Sequence, residues 1–470
     1  MNGRATSWIV SAGVFVVNLD LFIVNVAVPA IGADLGDVPL TSLSWVLNAY
    51  AIVFAALLVV AGRLADRYGH RRTFLLGLTL FSVASVLCAV APSVGWLIAA
   101  RALQAAGAAA LLPTSLALLL IVTPAERRPG AIRWWAAIGG VAAGLGPVVG
   151  GVLVEADWRW TFLVNVPVGV AGLLTGVRLL PADSPDRDGP LPDLTGAVML
   201  TLTIGSLALG LVEADDWGWA SPGVVGSLAA AGVLGVGFWW RSARHPVPIV
   251  EIPILRVRTF GVATLSALLF TVAFAAVLLT SVLWCQQVWG YSAIRTGLAI
   301  APGPLVVPVV TILSGPVIRR FGAGVTSMTG CLLIAAGLGW WAGVLGTEPH
   351  YLTQFFPGML ITGVGVGLAL PTLIGAAATA LPAARFATGS AVTTMARQTG
   401  SVLGVALTAT LLGTPRTADT ALTAFHHGWT AAGVAALAAA STALGMRVPA
   451  AREPGASAAL DVGARPASRP

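Results

Sequence analysis

The sequence has few charged residues and no lysine. Charged residues make up 10% of its 470 residues, whereas a soluble domain typically has about 25%. Hydrophobic residues make up 57% of the chain, and its mean hydropathy is +0.88. This composition excludes an ordinary soluble domain and predicts an all-α polytopic membrane protein. The basic residues are all arginines, and most lie in short loops between apolar segments, so we expect no nucleic-acid partner.

Cysteines and soluble catalytic patterns are also scarce. The three cysteines, Cys88, Cys285 and Cys331, lie within apolar segments, and their spacing fits neither a metal site nor a disulfide framework. We expect them to be small buried side chains. The sequence has no Gly-rich phosphate loop, no metal cluster and no Ser/His/Asp set. We therefore expect no enzyme activity, no metal and no cofactor.

Fourteen apolar segments approach the length needed to cross a bilayer. Their approximate limits are 8–31, 44–62, 73–91, 94–122, 131–154, 160–180, 194–213, 222–240, 261–288, 293–316, 325–345, 353–376, 389–413 and 425–446. The first is too long for a signal-peptide core and has no basic segment before it, so it is interpreted as the first span. Residues 447–470, rich in Ala, Pro, Gly and Arg, are predicted to form a disordered cytoplasmic tail.

The distribution of arginines predicts the topology. If both termini are cytoplasmic, only Arg159, Arg295 and Arg416 lie in outside loops, and only Arg101 and Arg397 lie within spans. All other arginines then fall in inside loops and ends, as the positive-inside rule requires. We therefore expect a multi-pass cell-membrane protein with both termini inside.

An internal repeat organises the spans. The stretch Gly62–Gly69 resembles Gly315–Gly322 in its two glycines, its arginine and its aromatic residue, at an offset of 253 positions. Gly107 and Gly365 each precede a Pro-Thr pair by six residues, at an offset of 258. Near-constant offsets predict two six-helix bundles, 8–180 and 261–446, separated by 181–260 with two inserted spans. In transporters, such repeats place the substrate site between the halves.

Asp20 is the only charged residue in the apolar segment Trp8–Ile31. By helical rise it lies roughly 18 Å into a hydrocarbon layer about 30 Å thick, where an ionised carboxylate costs at least about 2.5 kcal/mol unless it is paired or hydrated. Asp20 is thus the candidate proton carrier. We expect Arg101 to pair with Asp20 when it is deprotonated and to release it when it is protonated. Alternatively, Arg101 snorkels or bonds backbone carbonyls.

Two glycine-rich segments are candidate moving parts. The loop after span two is predicted to form a tight turn, with Asp66 capping span three and the arginines binding lipid phosphate or acidic groups on neighbouring loops, or merely to anchor the chain by its positive charge. Its candidate residues are Gly62, Asp66, Arg67, Gly69, Arg71 and Arg72. Span five is predicted to be a flexible hinge rather than a simple small-residue packing face. Its candidate residues are Gly140, Gly144, Gly146, Pro147, Gly150 and Gly151, and Gly400 and Gly404 are expected to act similarly in the second half.

A few further polar residues lie within predicted spans. Asn25, Asn48, Tyr50, Gln104 and Arg397 are candidate cavity residues. Hydrogen bonds between helices are the alternative for the neutral residues, and a structural role is the alternative for Arg397.

The loop Gly62–Arg72 resembles the signature loop of the major facilitator superfamily, Gly-x-Leu-x-Asp-Arg-x-Gly-x-Arg-Arg. Further stretches are similar to motifs of its fourteen-span drug:proton antiporters. These stretches are Leu19–Pro29, Arg101–Gly107, Gly140–Gly151, Trp158–Gly169 and Arg397–Gly404. The resemblance implies the major facilitator fold, alternating access gated by the signature loop, and a role for Arg101 in proton coupling. Some members carry extra acidic residues within spans ten or thirteen, but spans nine to fourteen here contain none, which argues against a dicationic substrate.

We therefore expect a proton-driven exporter of a small amphipathic drug or antibiotic, working as a monomer in the lipid bilayer. Its partners would be the substrate and protons. The alternatives are proton-coupled symport or export of a non-drug metabolite on the same fold, or a non-transporting membrane sensor, which the paired charges disfavour. Arginine without lysine fits a GC-rich genome and is compatible with self-resistance in an antibiotic producer.

Overall fold

The computed structural model describes residues 3–181, 191–382, 385–413 and 418–446, and these residues contain helices and no strand. The predicted tail, 447–470, lies outside the described residues. The helices are α1 (Gly3–Asp34), α2 (Leu40–Tyr68), α3 (His70–Ala89), α4 (Val94–Val122), α5 (Arg128–Ala156), α6 (Trp160–Leu163), α7 (Asn165–Leu179), α8 (Leu194–Val212), α9 (Ala214–Trp217), α10 (Pro222–Arg244), α11 (Ile252–Leu255), α12 (Arg258–Leu283), α13 (Ala293–Ile300), α14 (Pro302–Val344), α15 (Phe356–Thr379), α16 (Phe386–Leu412) and α17 (Ala418–Ala443).

The prediction of an all-α polytopic membrane protein is confirmed. Within the described ranges, eleven helical segments are long and apolar enough to cross a membrane. One of them, Ala293–Val344, has 52 residues. At about 1.5 Å per residue it is more than twice as long as a hydrocarbon layer is thick. We refer to the side of the molecule at which α1 begins as the Gly3 face and to the side at which α1 ends as the Asp34 face.

Polar side chains fix several helix starts. Ser93 Oγ accepts a hydrogen bond from the Trp96 amide at the start of α4, and Ser221 Oγ accepts one from the Val224 amide at the start of α10. Such N-cap bonds satisfy amides that the first helical turn leaves free. The serines in these loops therefore set where the next helix begins.

Two glycines with positive φ mark the same turn in each half. Gly69, between α2 and α3, has φ = 102°, and Gly322, inside α14, has φ = 80°. Side chains disfavour these angles, so glycine is required. The two residues are 253 positions apart, the offset of the sequence repeat. Gly322 thus divides α14 into two helices that correspond to α2 and α3.

A second pair of close contacts repeats at nearly the same offset. A methyl group on Gly107 of α4 would lie 2.8 Å from the Gly77 carbonyl oxygen of α3. A methyl group on Gly365 of α15 would lie 2.6 Å from the Gly330 carbonyl oxygen of α14. Only glycine allows these backbones to approach so closely. The glycine spacing recognised in the sequence therefore marks the same close helix contact in α3–α4 and in α14–α15.

Replacing Gly365 with alanine should destabilise the protein, because the added methyl group would overlap the backbone of α14. We expect a cost of about 1–3 kcal/mol, measured as a lower midpoint of thermal unfolding in detergent. Gly375, on the same helix, is exposed and has no atom within 4 Å of such a methyl group. Gly375→Ala should leave the midpoint unchanged or raise it. Equal midpoints for the two variants would show that the α14–α15 approach is looser than described.

The pair α8 and α10 connects the two halves. On the Gly3 face, the buried Asp193 carboxylate accepts two hydrogen bonds from Arg241 Nε, at 2.8 and 3.0 Å, which tie α8 to α10. On the Asp34 face, Thr410 of α16 donates to the Leu211 carbonyl of α8. Thr41 of α2 donates to Asp216, just beyond α8. α8 therefore contacts both α2 and α16.

Candidate functional site

Asp20 of α1 and Arg101 of α4 meet in the interior of the bundle formed by α1–α7. Arg101 Nη1 donates to Asp20 Oδ2 at 2.5 Å, and the side chains of Arg101 and Asp20 are 1% and 0% exposed, respectively. Asp20 lies near the middle of α1, roughly 21 Å from its end at Asp34 by helical rise. The structure thus brings together the two charged residues that the sequence analysis selected. A buried pair of this kind is costly to break, because either partner alone is an uncompensated charge.

Three neutral polar residues complete the surroundings of the carboxylate. Gln104 Nε2 and Asn165 Nδ2 donate to Asp20 Oδ1 at 2.9 and 3.0 Å. Both amides also donate to Ser85 Oγ, at 2.9 and 3.4 Å. Asp20 therefore accepts hydrogen bonds from α4 and α7, and Ser85 of α3 connects their donors. All these side chains are buried, which makes each bond stronger than it would be in water.

Arg101 is held from several directions. Its Nε donates to the Val46 carbonyl of α2 at 3.2 Å, and its Nη1 donates to Gln104 Oε1 at 2.6 Å. The guanidinium also lies 4.1 Å from the centre of the Tyr50 ring, a cation–π distance. Arg101 thus forms an ion pair with Asp20 and also donates to a backbone carbonyl. Bonding to backbone carbonyls, the alternative to pairing in the sequence analysis, therefore describes one of its contacts. Contacts from α2 and from its own helix, α4, hold it in place even without Asp20.

Sequence reasoning missed Asn165 and Ser85. Asn165 lies in the stretch Trp158–Gly169, which was noted only as a motif, and Ser85 is a lone serine in the apolar α3. A buried polar residue in a span is a usable signal, but serine is too common in membrane helices for the signal to be specific. Their proximity to Asp20 depends on how α3 and α7 pack against α1.

The other candidate cavity residues lie apart from this cluster or have no role in it. Asn25 Nδ2 donates to the Leu21 carbonyl of its own helix. Both side-chain amide atoms of Asn48 are buried without a hydrogen-bond partner among the described residues. Arg397 lies in the second half. Cys88, Cys285 and Cys331 are buried and free.

The glycines of α5 form two stripes. At 3.6 residues per turn, Gly146 and Gly150 share one face, while Gly140, Gly144, Pro147 and Gly151 share another. The first stripe contacts α1. A methyl group on Gly146 would overlap Phe22, and one on Gly150 would lie 3.1 Å from the Ile23 carbonyl oxygen. Gly150 and Gly146 therefore bring α5 against the residues that follow Asp20.

The second stripe faces the other half. A methyl group on Gly151 would lie 2.6 Å from the Ala293 carbonyl oxygen at the start of α13. One on Gly144 would lie 3.7 Å from Leu305, and one on Gly140 would have nothing within 4 Å. In turn, a methyl group on Gly297 of α13 would overlap the Pro147 carbonyl. At these glycines α5 thus approaches α13 closely near the Asp34 face, whereas a methyl group on Gly140, further towards the Gly3 face, would meet no described atom.

Gly400 and Gly404 of α16 repeat the first stripe. Methyl groups on them would overlap the carbonyls of Leu268 and Val272 on α12. Gly400 and Gly404 follow Gly146 and Gly150 by 254 positions each. α16 therefore packs against α12 through two glycines, as α5 packs against α1.

The predicted gating loop lies on the Gly3 face. Asp66 falls in the last turn of α2, its Oδ1 3.7 Å from His70 Nε2. Arg71 donates to the Val177 carbonyl of α7 at 2.5 Å. Arg63, within the motif, lies 3.7 Å from Glu251, which is also 4.0 Å from Arg385 at the start of α16. Glu251 was not selected from sequence, yet it joins charges of both halves.

The comparisons with known proteins agree with this architecture. The family model described as Major Facilitator Superfamily matches residues 10–405. The tetracenomycin C resistance and export protein of Streptomyces glaucescens is 33% identical over 412 residues, covering 86% of this chain and 74% of the relative. The cephamycin export protein of Amycolatopsis lactamdurans is 33% identical over 441 residues, covering 93% and 90%.

Solved structures share the fold. An auto-inhibited peptide transporter of the POT family has a TM-score of 0.67 at 16% identity, covering 96% of this chain and 99% of that one. At this identity the likeness concerns the fold alone. The curated relatives, named as resistance and export proteins, are consistent with the drug-efflux branch predicted from the motifs. The chain belongs to the major facilitator superfamily.

Proposed function

We propose that the protein is a proton-driven exporter of a small amphipathic drug or antibiotic. The observation that carries this proposal is the fully buried Asp20, ion-paired with Arg101 in the middle of apolar helices. Relatives named for the export of tetracenomycin C and cephamycin favour antibiotic efflux over the alternative of symport. The driving force would be the proton gradient, without a cofactor.

The proposed arrangement has fourteen spans. Gly322 divides Ala293–Val344 into two crossings, and α16 and α17, with 27 and 26 residues, are each long enough for one more. Residues 8–180 and 261–446 would form the two six-helix bundles, with α8 and α10 inserted between them. By the positive-inside rule the Gly3 face is cytoplasmic and the Asp34 face is external.

Several contacts support alternating access. The halves approach closely at Gly151 and Gly297 near the Asp34 face, whereas a methyl group on Gly140 would meet no described atom, and this difference favours a cavity that opens to the cytoplasm. Opening the other side requires the α5–α13 contact to break. It also requires closure at the Gly3 face, where Glu251 already lies between Arg63 and Arg385.

Protonation of Asp20 would bias these two states. Once Asp20 is neutral, Arg101 loses its charge partner, and the hydrogen bonds that hold α1 to α4 and α7 weaken. Phe22 and Ile23, next along α1, pack on Gly146 and Gly150 of α5, and the opposite stripe of α5 meets α13. A change at Asp20 can therefore reach the contact between the halves through two helix interfaces, first α1 with α5 and then α5 with α13. Coupling further requires that proton and substrate bind the two states with different affinity.

Everted membrane vesicles test the proposal. After the interior is acidified, adding substrate should raise the internal pH, because each substrate molecule that enters the vesicle expels protons. A pH-sensitive dye reports the change, and vesicles without the protein are the control. If addition of substrate acidifies the interior further, symport is the correct alternative. If none of a panel of antibiotics changes the pH, proton-driven drug export is wrong.

A further inference from the structure

Arg397 is a cation without a partner among the residues that the structure describes. It lies eleven residues into the 27-residue α16, about 17 Å along the helix. Its Nε–H is buried and donates to no described group, and no described side chain forms an ion pair with it. Between Glu251 and Asp419 the sequence has one acidic residue, Glu348, and that lies in a loop. An unpaired charge in a membrane interior is costly, which marks it as a functional group.

The surroundings of Arg397 form a small polar cavity. The space has a volume of about 50 Å³ and is lined by Ile374 and Ala378 of α15 and by Ser390, Thr393, Thr394 and Arg397 of α16. A liquid water molecule occupies about 30 Å³. The cavity is therefore larger than one water molecule, and a small group such as a carboxylate fits into it. Ile374 and Ser390 are exposed, which leaves the cavity open on one side. The hydroxyl groups of Ser390 and Thr394 and the guanidinium are able to donate to an anion, whereas the Thr393 hydroxyl donates to the Gly389 carbonyl of its own helix.

The two halves surround their buried arginines differently. In the first half, Arg101 is neutralised by Asp20 and is bonded to Val46 and Gln104. In the second half, the backbone contacts of α16 repeat those of α5, but Arg397 stands where α5 has Ala143, by the same offset of 254. The packing of α5 against α1 thus needs no more than an alanine at position 143. Helix packing therefore does not explain why an arginine stands at position 397. Binding of a negatively charged ligand would explain it.

We propose that Arg397, with Ser390 and Thr394, binds an acidic group of the transported substrate, a carboxylate or an equally charged phenolate. This inference rests on the proposed export function and names its substrate class: an amphipathic organic anion whose apolar body extends past Ile374. Guanidinium and carboxylate form two parallel charge-assisted hydrogen bonds, and such bonds are strongest where water is excluded.

Two probes that differ only in charge test the assignment. Pyrenebutyrate carries a carboxylate, and pyrenebutylamine carries an ammonium on the same ring system. Binding of each to the purified full chain in phosphatidylcholine nanodiscs is followed by fluorescence. We expect wild type to prefer pyrenebutyrate, and Arg397→Gln to weaken that binding about tenfold or more, since a charged hydrogen bond is lost. Pyrenebutylamine binding should be unchanged, and Arg397→Lys should recover part of the loss.

The control variant is Arg178→Gln, which removes an exposed arginine at the end of α7. It should bind both probes as wild type does. If Arg397→Gln weakens both probes equally, or neither, the assignment is wrong. If phosphatidylglycerol in the nanodisc abolishes pyrenebutyrate binding to wild type, the cavity belongs to a lipid headgroup, and the assignment to a substrate is again wrong.

The same experiment separates this inference from the proposed function, because binding is measured without a pH gradient. If the vesicle assay fails but charge-selective binding requires Arg397, proton-driven export is wrong and the anion site stands. If substrate-driven pH changes occur but binding ignores the charge at position 397, export stands and the anion site is wrong.

Discussion

Asp20→Asn should abolish proton-driven export. Asparagine has nearly the shape of aspartate and can still accept hydrogen bonds from Gln104 and Asn165, but it carries no charge and takes up no proton. In everted vesicles, substrate should no longer raise the internal pH, and a susceptible host should lose resistance to the exported drug. The expected loss is complete, since no other acidic residue lies within the described membrane helices at that depth.

A second measurement separates coupling from folding. Exchange of labelled for unlabelled substrate across the membrane, without a pH gradient, needs the moving halves but no net proton transfer. Asp20→Asn should retain this exchange. The matched control is Asp37→Asn, at an exposed turn position after α1 with φ = 52°, where asparagine is tolerated. Retained pH-driven export in Asp20→Asn would show that another group carries the proton.

The second large effect concerns stability. Arg101→Met leaves the fully buried Asp20 carboxylate without its cation, and breaking a buried pair in this way costs about 3–5 kcal/mol. The loss should appear as a large drop in the midpoint of thermal unfolding. Asp20→Asn should also be destabilising, because it leaves Arg101 unpaired.

The double variant, Asp20→Asn with Arg101→Met, should recover most of the lost stability, because replacing a buried ion pair by neutral groups is often nearly neutral. Transport driven by the pH gradient should remain absent. If the double variant is no more stable than the worse single variant, the two residues do not interact, and the contact at 2.5 Å does not describe the protein in the membrane.

Much of the fold could be predicted because its signals are local. Apolar segments of bilayer length determine the helices, since an unpaired backbone group in hydrocarbon is too costly for any open structure. Gly69 and Gly322 were recognisable as a repeated pair because a positive φ restricts both positions to glycine. The predicted span boundaries differ from the helix ends, because helices such as α2 continue past the apolar segment to Tyr68.

Part of the site could also be predicted. Asp20 and Arg101 were identifiable because charges within apolar spans are rare, and a pairing of opposite charges is the simplest way to accommodate both. Asn165, Ser85 and Glu251 were not identified. The first two are ordinary polar residues whose role depends on which helix face meets α1. Glu251 lies in a loop, where a lone carboxylate has no distinguishing pattern.

The sequence by itself determined the membrane class, the repeated halves, the glycine turns and the charged residues that need partners. These follow from the free energy of transferring groups into hydrocarbon and from the conformational freedom of glycine, both properties of single residues or short segments. Tertiary structure alone decided which partners they have. It placed Asn165 and Ser85 beside Asp20, set Gly151 against α13, and gave Arg397 no counter-charge within the described part of the chain, because such contacts depend on how helices distant in sequence pack against one another.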